Sequence, residues 1–394
     1  MKINMKNYKI NKTFFWINIF IIIIILIISL FLKNHLNENY IKLIIYKHNK
    51  KEKIYKLEDI FKKVKYLYLY KGNKKIGAYY PSSCMSADKK TVFLTYTIDG
   101  KNGSYVKKSV DNGTTWETLI FPQNNMWKKM TDFPTIYNLV DKQGHERLII
   151  FCNRGEKNTK NEYNIHQTIS NDNGKTWSKV KDLGNKFQCN VAFTSIIKLK
   201  NGDYMGVFHT DKEGKDINFM YVLKSISNDG GLTWSDPIII AKTPRRYLAE
   251  PCLIYSPDKK QIVCLMRDNI HGSHYSAMMV SNDEGKTWSS PISTLPELTG
   301  DRHVVRHLPN GRLIITYRYQ LRDAQDKLQA VAWIGTYNDI IKKRKGKLIK
   351  LIDSCAINGY SAIEILPNKK LLIVVYAKEK ENQKYSLISI KCDL

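Results

Sequence analysis

The 394-residue chain is short of several residue patterns that normally announce a function. Its seven cysteines, Cys84, Cys152, Cys189, Cys252, Cys264, Cys355 and Cys392, are scattered and form no CxxC pair. That speaks against a zinc ribbon or a dithiol redox motif, and an odd count at irregular spacing gives no disulfide framework. The cysteines read instead as small core residues. No HExxH, EF-hand loop, P-loop or GxGxxG occurs, so no metal, nucleotide or other cofactor is expected. No long 3.6-residue periodicity follows residue 33, which argues against a helical body. Acidic residues are also scarce, 36 against 63 Lys and Arg, for a formal charge of +27. Such an excess can attract nucleic acid, anionic membranes or acidic glycans. No basic helix interleaved with aromatics is present, so nucleic acid is not an expected partner. Lys is in excess together with Asn and Ile throughout, and much of the charge reads as composition.

What is present begins with an apolar run. Phe14 to Leu32 is broken only by Asn18 and Ser29. As a helix it would rise about 28 Å, close to the hydrocarbon thickness of a bilayer. Lys2, Lys6, Lys9 and Lys12 precede it, which would leave the N-terminus in the cytoplasm and export the rest of the chain. The exit reads Leu30-Phe31-Leu32-Lys33, with no small-x-small cleavage site and no lipoprotein cysteine. Residues 1–33 are therefore expected to be a cytoplasmic tail and signal-anchor transmembrane helix. The body would be held at the membrane, periplasmic or at the cell surface, or secreted if the segment is cleaved. Residues 34–60 are rich in Lys and Asn and read as a linker, with a first strand near Lys65–Tyr70. Residues 61–394 then form the folded body. With 43% hydrophobic residues and 24 tyrosines, the chain is too apolar to be disordered.

Four segments of the body share one pattern, S-x-D-x-G-x-T-W: Ser109 to Trp116, Ser170 to Trp177, Ser227 to Trp234 and Ser281 to Trp288. The aspartates Asp111, Asp172, Asp229 and Asp283 stand 61, 57 and 54 residues apart. Self-similarity at this period indicates a repeat architecture. Asp can accept from backbone N–H groups one or two residues on, Gly permits a positive φ, and Trp can pack between neighbouring sheets. Each segment reads as a stapled hairpin turn used once per repeat. Short β-rich runs agree: Arg147–Cys152, Gln261–Met266, Arg312–Tyr317 and Lys370–Tyr376.

The pattern is the Asp box, or bacterial neuraminidase repeat, and over roughly residues 75–392 the chain resembles the sialidase family. The resemblance implies an all-β, six-bladed β-propeller of four-stranded antiparallel blades, with box-free blades near the C-terminus. It also implies that the boxes are structural and peripheral. The activity implied is that of an exo-α-sialidase, a retaining glycoside hydrolase acting on sialylated glycans of glycoproteins, glycolipids and mucins. Sialic acid carries a carboxylate on its anomeric carbon, which guanidinium groups grip well and a carboxylate nucleophile approaches badly. Sialidases use a tyrosine nucleophile instead.

Gly359-Tyr360-Ser361 is similar to the family's nucleophile segment, which makes Tyr360 the nucleophile candidate. Glu250-Pro251 followed by Cys264-Leu-Met-Arg267 resembles the stretch that supplies the base and a clamp arginine, so Glu250 would deprotonate Tyr360 and Arg267 would bind substrate. Arg318 and Arg302 are the further clamp candidates, with Asp301 and His303 in support. Asp99, in Thr97-Ile-Asp-Gly100, is the acid candidate, and Asp132 its fallback. One departure stands out. Where the family opens its first blade with Arg-Ile-Pro, this chain has Tyr79-Tyr80-Pro81, and Arg154, Arg245 and Arg246 are the possible replacements. That departure keeps two alternatives open: a non-catalytic glycan-binding propeller, and a glycosidase or lyase for another acidic sugar.

Overall fold

A computed structural model describes residues 53–99, 103–119, 133–153, 163–211, 220–242, 246–268, 276–320, 328–354 and 359–394. The apolar run Phe14–Leu32 and most of the expected linker lie outside these residues. Among the described residues no helix is long and apolar enough to cross a membrane.

Strand formation follows from runs that bury both faces. In Leu148-Ile149-Ile150-Phe151 every residue is buried. Alternate side chains leave a strand on opposite sides, so Leu148 and Ile150 enter one seam, and Ile149 and Phe151 the next. Two strands come before the first blade in sequence, β1 (Ile54–Lys56) and β2 (Lys62–Tyr70). The first blade is β3 (Ala78–Met85), β4 (Val92–Ile98), β5 (Ser104–Ser109) and β6 (Glu117–Leu119). The second is β7 (Thr135–Val140), β8 (Glu146–Cys152), β9 (His166–Ser170) and β10 (Lys181–Asp182). The third is β11 (Val191–Lys198), β12 (Tyr204–Thr210), β13 (Tyr221–Ser227) and β14 (Ile238–Lys242). The fourth is β15 (Leu248–Tyr255), β16 (Ile262–Asp268), β17 (Ala277–Ser281) and β18 (Ile292–Ser293). The fifth is β19 (Gly300–His307), β20 (Leu313–Gln320), β21 (Leu328–Gly335) and β22 (Lys347–Lys350). The sixth is β23 (Ser361–Leu366), β24 (Lys370–Ala377) and β25 (Ser386–Asp393).

The sixth blade takes its fourth strand from the other end of the body: β2 pairs antiparallel with β25 and closes the ring. The protein is thus a six-bladed β-propeller. β1 pairs parallel with β22 as a fifth strand of the fifth blade. Residues 54–56, which the sequence assigns to the linker, therefore belong to the propeller, because the exposed edge of β22 offers them a ladder. Hydrophobic clusters fill the seam between each pair of neighbouring blades. Ile314, Ala332 and Ile349 meet Ile363, Leu371 and Ile373 between blades five and six, and Ala78, Leu94 and Tyr96 meet Val374 and Leu387 between six and one. The six described cysteines are buried, and no disulfide joins any two of them.

Each Asp box links the third and fourth strands of its blade, in blades one to four. Asp172 accepts from the Thr176 N–H at 2.9 Å, the Thr176 hydroxyl at 2.5 Å and the Ser170 hydroxyl at 2.8 Å. The reach is four residues on, longer than the one or two expected, because Thr176 curls back over the carboxylate and is itself part of the staple. Those bonds, led by the Thr176 hydroxyl, hold the Asp172 carboxyl down to about 2. Trp177 donates to Gly174 O at 3.2 Å and packs in the seam against blade one. Gly174 has φ 79°, and a Cβ there would meet Leu119 and Phe93 of that blade. The boxes therefore lock each blade onto the preceding one.

Candidate active site

The site lies where the innermost strands begin. Tyr360 directly precedes β23. Its backbone position depends on Gly359, whose N–H donates to Tyr376 O at 2.9 Å and where a Cβ would fall 1.7 Å from the Tyr376 ring. Only glycine lets the chain pass this close. The Tyr360 hydroxyl, in a side chain 6% exposed, donates to Glu250 Oε1 at 2.7 Å. Glu250 sits on a bulge of β15, between the pairs Ala249–Arg267 and Cys252–Leu265. Its other oxygen accepts from the Arg302 N–H at 2.8 Å, and its own N–H donates to His209 Nδ1 at 3.2 Å.

Two guanidinium groups converge on the same phenol. Arg267 Nη1 lies 3.3 Å and Arg318 Nη2 3.4 Å from the Tyr360 hydroxyl, and the Arg318 guanidinium covers the Tyr360 ring at 4.7 Å. Asp301, fully buried, holds both. Its Oδ1 is 2.8 Å from Arg267 Nε, and its Oδ2 is 2.8 Å from Arg318 Nε and Nη2. Strand pairing explains the convergence: Arg267 stands opposite Ala249 in one hairpin, and Arg318 opposite Asp301 in the next.

The electrostatics follow from burial and these neighbours. Burial pushes the Tyr360 phenol well above its ordinary range, and Glu250 pushes it further, while Arg318 and Arg267 oppose them. The resting phenol is neutral. Burial works against a charged Glu250, but Arg267, the Tyr360 hydroxyl and other cations overcome it and leave the carboxyl below its usual range. Burial raises the Asp301 carboxyl, and Arg267 and Arg318 pull the other way. Burial also drops His209 to about 4, so it meets the Glu250 N–H as a neutral acceptor. The arrangement joins a neutral phenol to a carboxylate that can take its proton, beside two fixed cations.

The structure thus brings together Tyr360, Glu250, Arg267 and Arg318. Arg302 stands differently: its main chain binds Glu250, and its side chain, 8% exposed, is buried. No carboxylate among the described residues lies within ion-pair distance of its guanidinium. The sequence reads Arg302 as a clamp from its place beside the strand; at a left-handed φ of 53° its N–H bonds Glu250, and its buried guanidinium is close enough to favour the charged form of that carboxyl. His303 is structural, bonded to Leu298 O at 2.9 Å and stacked on Tyr317. Asp99 lies at the edge of the group, with Tyr79 Oη at 3.3 Å and Lys384 Nζ at 3.4 Å. No contact among the described residues joins it to Tyr360. Arg246 is committed to Asp268 at 2.7 Å, and Asp132, Arg154 and Arg245 lie outside the described residues. The sequence reading missed His209, which has no motif of its own, and an aromatic group beside Tyr360. Tyr80 and Phe133 lie 6.1 and 6.4 Å from it and 4.0 Å from each other.

A six-bladed propeller with four Asp boxes and this axial group of side chains defines a repeat class of protein. The model of the BNR repeat-like domain matches residues 125–332, more than half of the chain, and the chain belongs to that family. No curated protein matches it. Among solved structures it is similar to a protein of unknown function from Dyadobacter fermentans, 17% identical, with a TM-score of 0.67 over 84% of this chain and 99% of that one. It is similar to an α-L-arabinanase of Penicillium chrysogenum complexed with arabinobiose, 13% identical, with a TM-score of 0.62 over 82% and 97%. It is also similar to a Trypanosoma rangeli sialidase in complex with sialic acid, 15% identical, with a TM-score of 0.58 over 84% of this chain and 59% of that one. At such identities the likeness shows the shared propeller.

Proposed function

We propose that the chain is a glycoside hydrolase of the sialidase type, an exo-α-sialidase that removes terminal sialic acid from glycans with retention. The observation that carries this reading is the 2.7 Å bond from Tyr360 to Glu250 with two guanidiniums within 3.4 Å of the same hydroxyl. Arg267 and Arg318 bind the carboxylate of the sugar. The Tyr360 oxygen attacks the anomeric carbon while its proton passes to Glu250, and the glycosidic bond breaks. The leaving oxygen takes a proton from an acid, a role we assign to Asp99. Water then attacks the glycosyl-tyrosine, one of its protons goes to the deprotonated Asp99, and Tyr360 leaves the sugar and recovers its own proton from Glu250, so both carboxyls return to their starting states. The N-terminal run Phe14–Leu32 is assigned as a signal anchor that exports the propeller; alkaline extraction of membranes should leave the full-length chain in the pellet, and its release would count against the anchor.

Activity is tested with a fluorogenic aryl α-sialoside and the full-length protein. Turnover that disappears in Tyr360→Phe supports the reading. Sialic acid binding without turnover would make the chain a glycan-binding propeller. Inertness to sialosides with cleavage of another acidic or a neutral glycoside would move the substrate class.

A further inference from the structure

The innermost strands of blades one, four and five carry the same irregularity. The register slips from Tyr79 to Ser82 in β3, from Ala249 to Cys252 in β15 and from Asp301 to Val304 in β19. In each slip one non-glycine residue is left-handed: Tyr80 at φ 57°, Glu250 at 50° and Arg302 at 53°. Blade two has its counterpart just before β7, Phe133 at 46°. Proline follows in three of the four, Pro81, Pro134 and Pro251. Left-handed backbone is unfavourable for an L-residue, and bulky aromatics are seldom found there. Such strain persists where the surroundings over-determine it, often at a site. Two of these four positions, Glu250 and Arg302, are already wired together beneath Tyr360. The other two carry aromatic rings.

Those rings are placed to meet a ligand. Tyr80 and Phe133 pack against each other at 4.0 Å and stay only partly buried, while Tyr376, which Tyr80 touches, and Tyr360, which both touch, are buried. Tyr80 packs edge-on against Tyr376 at 5.9 Å, which fixes its plane. The wall stands on the blade-one side of Tyr360, beside Tyr79, where no cation faces the site from β3. Both described guanidiniums at Tyr360 come instead from blades four and five. A sugar seated over the Tyr360 hydroxyl therefore has charge on one side and aromatic carbon on the other. A pyranose or furanose presents an apolar C–H face that packs on such a surface.

We propose that Tyr80 and Phe133 form a stacking wall for the C–H face of the sugar bound at Tyr360, so that the site recognises its substrate by two guanidiniums and an aromatic surface. This rests on the glycosidase reading for the position of the sugar, though not for its identity. Ligand affinity of the full-length protein is measured by saturation-transfer NMR and titration with methyl α-sialoside, methyl α-L-arabinofuranoside and methyl β-galactoside. Tyr80→Ala should weaken the bound sugar about tenfold, Phe133→Leu about threefold, and Tyr80→Phe, which keeps the ring, by less than about twofold. In turnover the loss should fall on KM, with kcat within about threefold of wild type. Thermal melting checks folding, and if Tyr80→Ala does not fold, Phe133→Leu and Tyr80→Phe carry the test. Weakening of a bound sialoside supports both the wall and the sialidase reading. Weakening of a bound arabinofuranoside, with the sialoside ignored, supports the wall and overturns the sialidase reading. Unchanged affinity in Tyr80→Ala and Phe133→Leu, a large loss in Tyr80→Phe, or no binding of any of the three sugars overturns the wall.

Discussion

The axial end of the ring has two unlike halves built on one backbone device. In blades four and five the left-handed positions hold Glu250 and Arg302, and the hairpins beside them bring Arg267, Asp301 and Arg318 into a closed ionic group. In blades one and two the same kind of position holds Tyr80 and Phe133, and the surroundings are aromatic. The comparison separates what the fold supplies from what the chemistry needs. The fold supplies a strained, aimed position near the start of an inner strand. The residue placed there decides whether that side of the site handles protons or packs against carbon.

The largest effects should come from the ionic half. Tyr360→Phe and Glu250→Gln should each lower kcat by roughly 10³-fold, with little change in melting temperature for Tyr360→Phe, read by initial rates on a fluorogenic glycoside. Asp301→Ala should come next. It leaves Arg267 and Arg318 facing each other without the carboxylate that holds both. Breaking a buried ionic group in this way costs about 3–5 kcal/mol, read by denaturant unfolding, and KM for an anionic sugar should rise as the clamp loses its geometry. The aromatic half should respond more mildly, through the KM changes expected of Tyr80→Ala and Phe133→Leu.

A pH profile sharpens the same contrast. The Glu250 carboxyl lies below its usual range, so Glu250 is ionised and able to take the Tyr360 proton throughout the neutral and mildly acidic range. The Glu250 limb of kcat/KM should therefore appear only below about pH 4.3, the ordinary glutamate value. An acid limb centred above that value and abolished by Glu250→Gln would contradict the assigned ionisation. The smallest effect belongs to the periphery. Asp172 is held to about 2, so its contribution is present above the unfolded value near 3.9 and is lost as pH falls toward about 2. Asp172→Asn should lower the melting temperature by a few degrees at pH 7, narrow the gap to wild type at pH 2, and leave KM unchanged, read by calorimetry and initial rates.

The boxes made the architecture legible because their function is local. Ser, Asp, Gly, Thr and Trp within eight residues fold one turn, and the repeat spacing then counts blades. The box-free blades five and six come last, as the spacing implied. Ring closure was less legible, since nothing in Lys62–Tyr70 states that its partner is β25, more than 300 residues away. In the site, Tyr360, Glu250, Arg267 and Arg318 were found from short segments that resemble the family. For Arg302 the sequence placed the residue beside the strand, while the bulge that sends its main-chain N–H to Glu250 shows only in the register slip. At Tyr80-Pro81, Phe133-Pro134 and Glu250-Pro251 a proline follows the left-handed residue, a dipeptide too short to stand out in the sequence alone, and Arg302 has no such proline.

The most direct test of the account is to trap its intermediate. The Tyr360 oxygen should bond the anomeric carbon of a 2,3-difluorosialic acid and expel its anomeric fluoride as the free ion, leaving a slowly hydrolysed glycosyl-enzyme. Mass spectrometry of the digested full-length protein should then find the sugar on the peptide containing Tyr360, and find none in Tyr360→Phe. A covalent adduct on Glu250 or any other residue, or an unmodified enzyme that still turns over sialosides, would contradict it.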